Sequence, residues 1–185
     1  MTPEQLSFLE YEFTTSSLLA ALATRRKTHP TYAANATDQH RETVKLWLRS
    51  YLVQLGKRYQ RRSLSEEEHL QEIRILAAEA SRIHARALHE GRFRFGVAQK
   101  LVNLYLKYLW SVGIVSTVHH CPLDRIINDE ANLGYQWNAS DSEVEYVQAI
   151  FKLRAHVGGE LLQKWEICAF QLARSAPFKN HTQSD

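Results

Sequence analysis

Apolar residues recur along the whole chain at steps of three and four, the spacing that places side chains on one face of an α-helix. The clearest run predicts a helix over about 38–57, with Asp38 suited to its N-cap and Gly56 suited to its end. Its members are Val44, Trp47, Leu48, Tyr51, Leu52 and Leu55. No segment alternates apolar and polar residues over a strand's length with enrichment in β-branched residues, so the pattern predicts an all-α fold.

Capping and breaking residues delimit six further helices. Ser65 with Glu68, and Ser140 with Glu143, have the spacing of a capping box, and Pro3 suits a first helical turn. The predicted helices cover about 3–24, 65–88, 95–112, 122–130, 141–156 and 159–174.

The last two of these helices are separated by Gly158 and Gly159, which indicate a turn. Both carry apolar stripes at helical spacing. The stripes are Val144, Val147 and Phe151 in the first helix, and Leu161, Trp165 and Leu172 in the second.

The helix predicted near 96–112 is apolar around nearly its whole circumference, which is typical of a helix at the centre of a fold. We therefore expect Leu104 and Leu106 both to be buried. The sequence contains no internal repeat and no linker that would divide it. These features predict a single-domain bundle of about seven helices over 1–176, followed by a flexible polar tail over 177–185.

Composition agrees with a folded globular protein, since 44% of the 185 residues are hydrophobic and 23% are charged. The two cysteines, Cys121 and Cys168, are far apart and in no paired motif. They exclude a disulfide framework and a four-thiolate zinc or iron–sulfur site. The cysteine usage fits a reducing compartment, and we expect a cytoplasmic protein.

Two segments bear on export and membrane contact. The N-terminus has no basic region followed by an apolar core, so it does not resemble a secretory signal. The apolar stretch over 101–118 contains Asn103 and Lys107 and is interrupted by Gly113. We interpret it as a buried helix and expect no membrane partner.

Charge is mildly positive, with a formal net value of +3. Basic residues cluster at 25–27, at 57–62, and at Arg92, Arg94 and Lys100. Such clusters are compatible with a polyanionic partner such as nucleic acid. They are equally typical of solvated helix ends, where cations complement the helix dipole at C-termini.

A short run at the start of the central helix reads Phe-Gly-Val-Ala-Gln-Lys-Leu-Val-Asn over 95–103, and Pro-Leu-Asp follows at 122–124. Together they resemble the hairpin and second-helix start of the helix-hairpin-helix DNA glycosylase superfamily, over residues 95–127 only. The matching residues are Gly96, Val97, Lys100, Asn103 and Asp124, whereas Phe95 replaces the family's proline and Ala98 its second glycine.

This resemblance implies a DNA-binding protein with glycosylase-like or lyase-like chemistry. Lys100 would attack the sugar carbon after the base is flipped into a pocket, and Asp124 would activate the nucleophile or stabilise the cationic sugar. Unpaired amides at the helix N-terminus would face a phosphate. The residues that the resemblance brings to the DNA are Arg92, Arg94, Gly96, Val97, Ala98 and Asn103.

We accordingly expect Arg92, Arg94 and Lys100 to share one accessible surface beside the Gly96 turn, with Lys100 close to Asp124. Simpler interpretations stay open. Lys100, Asn103 and Lys107 are spaced as the one solvent-facing strip of a buried helix. Asp124 is also placed as a first-turn acid that stabilises a helix N-terminus.

Two classes of function therefore compete. One is a nucleic-acid-binding protein with a DNA glycosylase-like site. The other is a non-catalytic helical subunit that binds a protein partner through an apolar and aromatic surface including Tyr135 and Trp137. Adjacent ligand types at 119–121 do not make a metal site without a second cluster, so neither a metal nor a cofactor is expected. The oligomeric state is left open.

Overall fold

The computed structural model describes residues 1–23 and 29–175. Across these residues the chain forms seven α-helices, two 3-10 turns and no strand, which confirms the all-α prediction. The helices are α1 (Pro3–Leu22), α2 (Asp38–Arg61), α3 (Glu66–His84), α4 (Phe95–Ser111), α5 (Arg125–Glu130), α6 (Glu143–Val157) and α7 (Leu162–Ser175). The predicted basic cluster at 25–27 and the predicted tail at 177–185 lie outside the described residues.

The starts of the first three helices are set by side-chain caps. Thr2, Thr37 and Ser65 each accept a hydrogen bond from the third helical amide, and the side chain at that position bonds back to the cap. The prediction at Ser65 is confirmed. The predicted N-cap at Asp38 is wrong by one residue, because Thr37 caps α2 and Asp38 is its first residue.

Gly56 does not end α2, contrary to the sequence prediction, because the helix continues to Arg61. A Cβ atom on Gly56 would lie 2.9 Å from the Tyr105 hydroxyl and 3.0 Å from a methyl carbon of Leu109. The glycine is therefore a point of close approach between α2 and α4 rather than a stop.

The central position of α4 is confirmed. It packs against α1, α2, α3 and α6, and every residue from Phe95 to Leu106 is buried. Leu104 and Leu106 are both buried, as expected. Complete burial of a side chain of this size contributes roughly 1.5–3 kcal/mol to stability, so α4 is the main anchor of the core.

The start of α6 differs from the prediction. Ser142 caps the helix by accepting from the Glu145 amide, whereas the hydroxyl of Ser140 donates to the Glu145 carboxylate. The helix ends where Gly158 takes a left-handed conformation with φ of 68°. None of the helices in the described part of the chain is long and apolar enough to span a membrane.

Candidate functional site

The N-terminus of α4, where the sequence predicts DNA contacts, is closed by the loop before α6. The Phe95 amide donates to an Asp141 carboxylate oxygen at 2.9 Å, and the Gly96 amide donates to the Ser140 carbonyl at 3.1 Å. A Cβ atom on Gly96 would lie 1.9 Å from the Trp137 carbonyl oxygen. Gly96 thus allows a close approach of protein backbone, and its amide does not face solvent.

The next two amides are also occupied within the chain. Val97 and Ala98 both donate to the Arg94 carbonyl, each at 3.0 Å. The expectation of outward-facing amides at this turn is therefore wrong, because the first turn of α4 is already hydrogen-bonded to protein groups.

The three cations near this turn do not share an accessible surface. Arg94 is only 9% exposed and donates to the carbonyls of His29 and Pro30, at 2.9 Å each. Lys100 is only 8% exposed, with its ammonium 4.0 Å from the centre of the Trp137 ring. Arg92 alone is well exposed, and it pairs with Asp141 at 3.0 Å. The predicted basic surface is wrong because Arg94 and Lys100 are buried. Arg94 bonds to the segment at His29 and Pro30, and Lys100 lies against Trp137 in the loop before α6.

The alternative interpretation of α4, a solvent-facing polar strip, is wrong as well. Asn103 is fully buried. Lys107 forms a mostly buried salt bridge with Glu166 of α7, at 2.9 Å. Burial raises the pKa of Glu166, although the Lys107 ammonium opposes this shift. Polar residues on α4 therefore connect helices inside the fold.

Asp124 is the N-cap of α5. One of its carboxylate oxygens accepts from the amides of Ile126, at 2.9 Å, and Ile127, at 3.2 Å. This confirms the interpretation of Asp124 as an acid that stabilises a helix N-terminus. A catalytic role for Lys100 and Asp124 stays a prediction.

Sequence reasoning missed a chain of mostly buried hydrogen bonds, here called the interior polar network, which ends at the partly exposed Glu66. Its other members are Gln99, Asn103, His120 and Tyr146. Gln99 donates to the Leu123 carbonyl at 2.9 Å and accepts from the Leu123 amide at 3.2 Å. Asn103 donates to the Tyr146 hydroxyl at 2.9 Å. These bonds join α4 to α6 and to the segment before α5.

His120 extends the interior polar network to α3. Its Nε2 lies 3.0 Å from a Glu66 carboxylate oxygen, and its Nδ1 lies 2.8 Å from the Tyr146 hydroxyl. Because a carboxylate only accepts, the neutral ring carries its proton on Nε2, and Nδ1 accepts from Tyr146. Arg154 completes the chain by donating to Glu66 at 2.9 Å.

Burial sets the charge state of these groups. Desolvation lowers the pKa of His120 to about 4 and that of the neighbouring His69 to about 3. Hydrogen bonds from Arg154 and His120 hold the pKa of Glu66 at about 2 despite its partial burial. Both imidazoles are therefore neutral at pH 7. They lie under the surface, where His120 bonds to α6 and α3 and His69 bonds to Tyr59 of α2.

The outer side of α6 is the least expected surface. Val144, Val147 and Phe151 are 66%, 41% and 75% exposed, and we call these three residues the α6 face. A stripe of this kind normally faces the core. Here the core contacts are made by a second apolar set on the opposite side of the helix, which includes Tyr146, Ile150 and Leu153.

The second predicted stripe, at α7, is also largely exposed. Leu161 and Leu172 are both exposed, and only Trp165 is partly buried, with its ring edge-on to His156 at 5.5 Å. Both α6 and the region of α7 thus carry exposed apolar side chains.

The aromatic residues expected at a partner surface are not there. Tyr135 is buried, and Trp137 is half-buried beneath Lys100. An open groove of about 480 Å³ lies beside α6, lined by Tyr135, Asp141, Glu145 and Lys152 among others. Among the described residues, no three histidine, cysteine or acidic side chains are grouped so as to hold a metal ion.

No family model matches the chain, and neither the curated proteins nor the solved structures include one that is significantly similar to it.

Proposed function

We propose that the protein is a non-catalytic helical protein that binds a protein partner through the α6 face. The observation that carries this proposal is the exposure of three apolar side chains, Val144, Val147 and Phe151, along one side of a well-formed helix. Apolar surface that is continuous along an element, with polar residues around it, is typical of protein interaction sites.

The rigidity of the α6 face supports the same function. Tyr146 on the inner side of α6 bonds to His120 and Asn103, and Arg154 bonds to Glu66 of α3. A surface already ordered before binding loses little conformational entropy when a partner docks. Phe151 is the expected anchor, because large aromatic side chains carry most of the energy in many interfaces.

The test begins with affinity capture by the full chain and identification of the captured protein by mass spectrometry. The binding is then repeated by titration of the two purified proteins. Phe151→Gln is expected to weaken binding by about 1–2 kcal/mol, or roughly five- to thirtyfold in Kd. Phe8→Gln is the matched control, because Phe8 is a similarly exposed phenylalanine on α1, at 63%.

The proposal is overturned if the full chain binds neither a captured protein in purified form nor a second copy of itself, or if Phe151→Gln binds its partner as tightly as Phe8→Gln and the wild-type chain do. Circular dichroism of both variants checks that the helices are retained. DNA binding stays a prediction from sequence, and the closed N-terminus of α4 does not favour it.

A further inference from the structure

We infer that the partner of the α6 face is a second copy of this chain, with the two α6 helices packed antiparallel across a twofold axis. This inference rests on the proposed function and names its partner. In a twofold contact each copy uses the same surface, so that surface must be complementary to itself. The charges beside the α6 face and the positions of its apolar residues meet this requirement.

The charges lie along one flank of the α6 face. Glu145 and Lys152 are seven residues apart, or about two turns, and so lie on the same side of the helix. In an antiparallel twofold pair this flank meets the same flank in reverse order. Glu145 of each copy then lies opposite Lys152 of the other, which gives two ion pairs.

Neither of these charges is neutralised within the described chain. Glu145 accepts from the Ser140 hydroxyl, and Lys152 makes a long contact of 3.5 Å with the Leu133 carbonyl. Within residues 1–23 and 29–175 neither forms a salt bridge. On the other flank, by contrast, Glu143 is paired with Arg74, and Arg154 with Glu66, both on α3.

The apolar residues fit the same alignment. The arrangement that pairs Glu145 with Lys152 is centred between positions 148 and 149. It brings Val144 near Phe151 of the second copy. The midpoint between positions 144 and 151 lies only one residue, or about 1.5 Å, from the midpoint between positions 145 and 152. Val147 lies near the height of the twofold axis, on the edge of the contact opposite Glu145 and Lys152, and meets its counterpart there.

A parallel pair is disfavoured by the same charges. In a parallel pair the twofold axis runs along the helices. The flank with Glu145 and Lys152 in one copy would then face the flank with Glu143 and Arg154 in the other, with equivalent residues at the same level. Glu145 would then meet Glu143 of the second copy, and Lys152 would meet Arg154. Like charges in contact oppose association, so the pattern favours the antiparallel pair.

The size of the contact sets the expected affinity. A helix of 15 residues is about 22 Å long, and one face of it gives an interface smaller than the roughly 800 Å² per partner of stable complexes. We therefore expect a reversible dimer with a Kd in the micromolar range.

The test is sedimentation velocity of the full chain over a concentration series from about 1 to 500 µM. Wild-type protein is expected to pass from monomer to dimer. Glu145→Lys and Lys152→Glu should each weaken dimerisation at least about tenfold, because each sets two like-charge contacts in place of two ion pairs. Both positions are exposed, so neither change should disturb the helices.

The decisive step is the rescue. An equimolar mixture of Glu145→Lys and Lys152→Glu should dimerise as the wild-type does, because in the mixed pair position 145 of each variant meets an opposite charge at position 152 of the other. The double variant in one chain should recover for the same reason. A dimer that the single reversals do not weaken, or that the mixture does not restore, overturns the antiparallel arrangement.

A monomer at all concentrations overturns the second-copy inference outright. It leaves the proposed function to the titration with a captured partner. If that partner binds in a manner that depends on Phe151, the α6 face binds a different protein. If that titration fails as well, the proposed function also falls.

Discussion

Lowering the pH from 7 to 5 is expected to destabilise the fold through two buried histidines. The pKa of His120 is lowered to about 4 and that of His69 to about 3, against an ordinary value of 6.5. The unfolded chain therefore takes up protons that the folded chain does not. Their contribution to stability is fully present above about pH 6.5. It falls progressively as the pH drops below that value and is lost completely below the folded-state pKa values.

The magnitude follows from this difference. At pH 5 a histidine in the unfolded chain lies about 1.5 pH units below its pKa, which corresponds to about 2 kcal/mol. Two such residues lower the free energy of unfolding by about 4 kcal/mol, a large share of the roughly 5–15 kcal/mol typical of a domain. Glu66 does not contribute in this window, because its pKa falls from 4.5 to about 2.

The assay is urea denaturation followed by circular dichroism at pH 7, 6 and 5. His120→Gln keeps a polar side chain beside Tyr146 but cannot titrate, so between pH 7 and 5 it should lose about 2 kcal/mol less stability than the wild-type chain does. Glu166, whose pKa is raised by burial, acts in the opposite direction, but it does so in both proteins and cancels in the comparison. An equal pH dependence in the two proteins would refute the assignment.

Three further predictions concern the core and the DNA hypothesis. Gly96→Ala should lower the free energy of unfolding in urea by at least about 1–3 kcal/mol, because its Cβ would overlap the Trp137 carbonyl. Glu166→Gln should lower the free energy of unfolding by about 3–5 kcal/mol, because it leaves the Lys107 ammonium buried without its carboxylate. In the same assay, the double variant with Lys107→Met should recover part of that loss. An electrophoretic mobility shift with duplex DNA should show no retention at any salt concentration; retention that falls steeply with salt and weakens in Arg92→Ala would instead support DNA binding.

The sequence predicts the helices well because their signals are local. Caps such as Ser65 and the apolar circumference of α4 depend on residues within a few turns. The role of Lys100 or Asn103 is not local. A polar residue on α4 at this spacing fits a solvent-facing strip as well as an interior polar network. The choice depends on Trp137 and Tyr146, which are distant in sequence.

For a related reason, the sequence could not predict which side of α6 is buried. The helix has two apolar sets at helical spacing, one containing Tyr146 and Ile150 and the other containing Val144 and Phe151. Periodicity treats both alike. Contacts with α4 and α3, together with the bond between Tyr146 and His120 in the segment before α5, decide which set is buried and leave the other as the α6 face.

The loop that closes the first turn of α4 has a consequence for the order of folding. The bond between Phe95 and Asp141 joins residues 46 positions apart. The amides that start the central helix thus acquire their partners only after a long loop has closed, which costs chain entropy before any contact repays it. The hydrogen bonds of the first turn of α4 therefore form only when the C-terminal third of the chain has folded against it. A protease cut between α5 and α6 should release that end of the helix, even though the cut lies about 40 residues away from it along the chain.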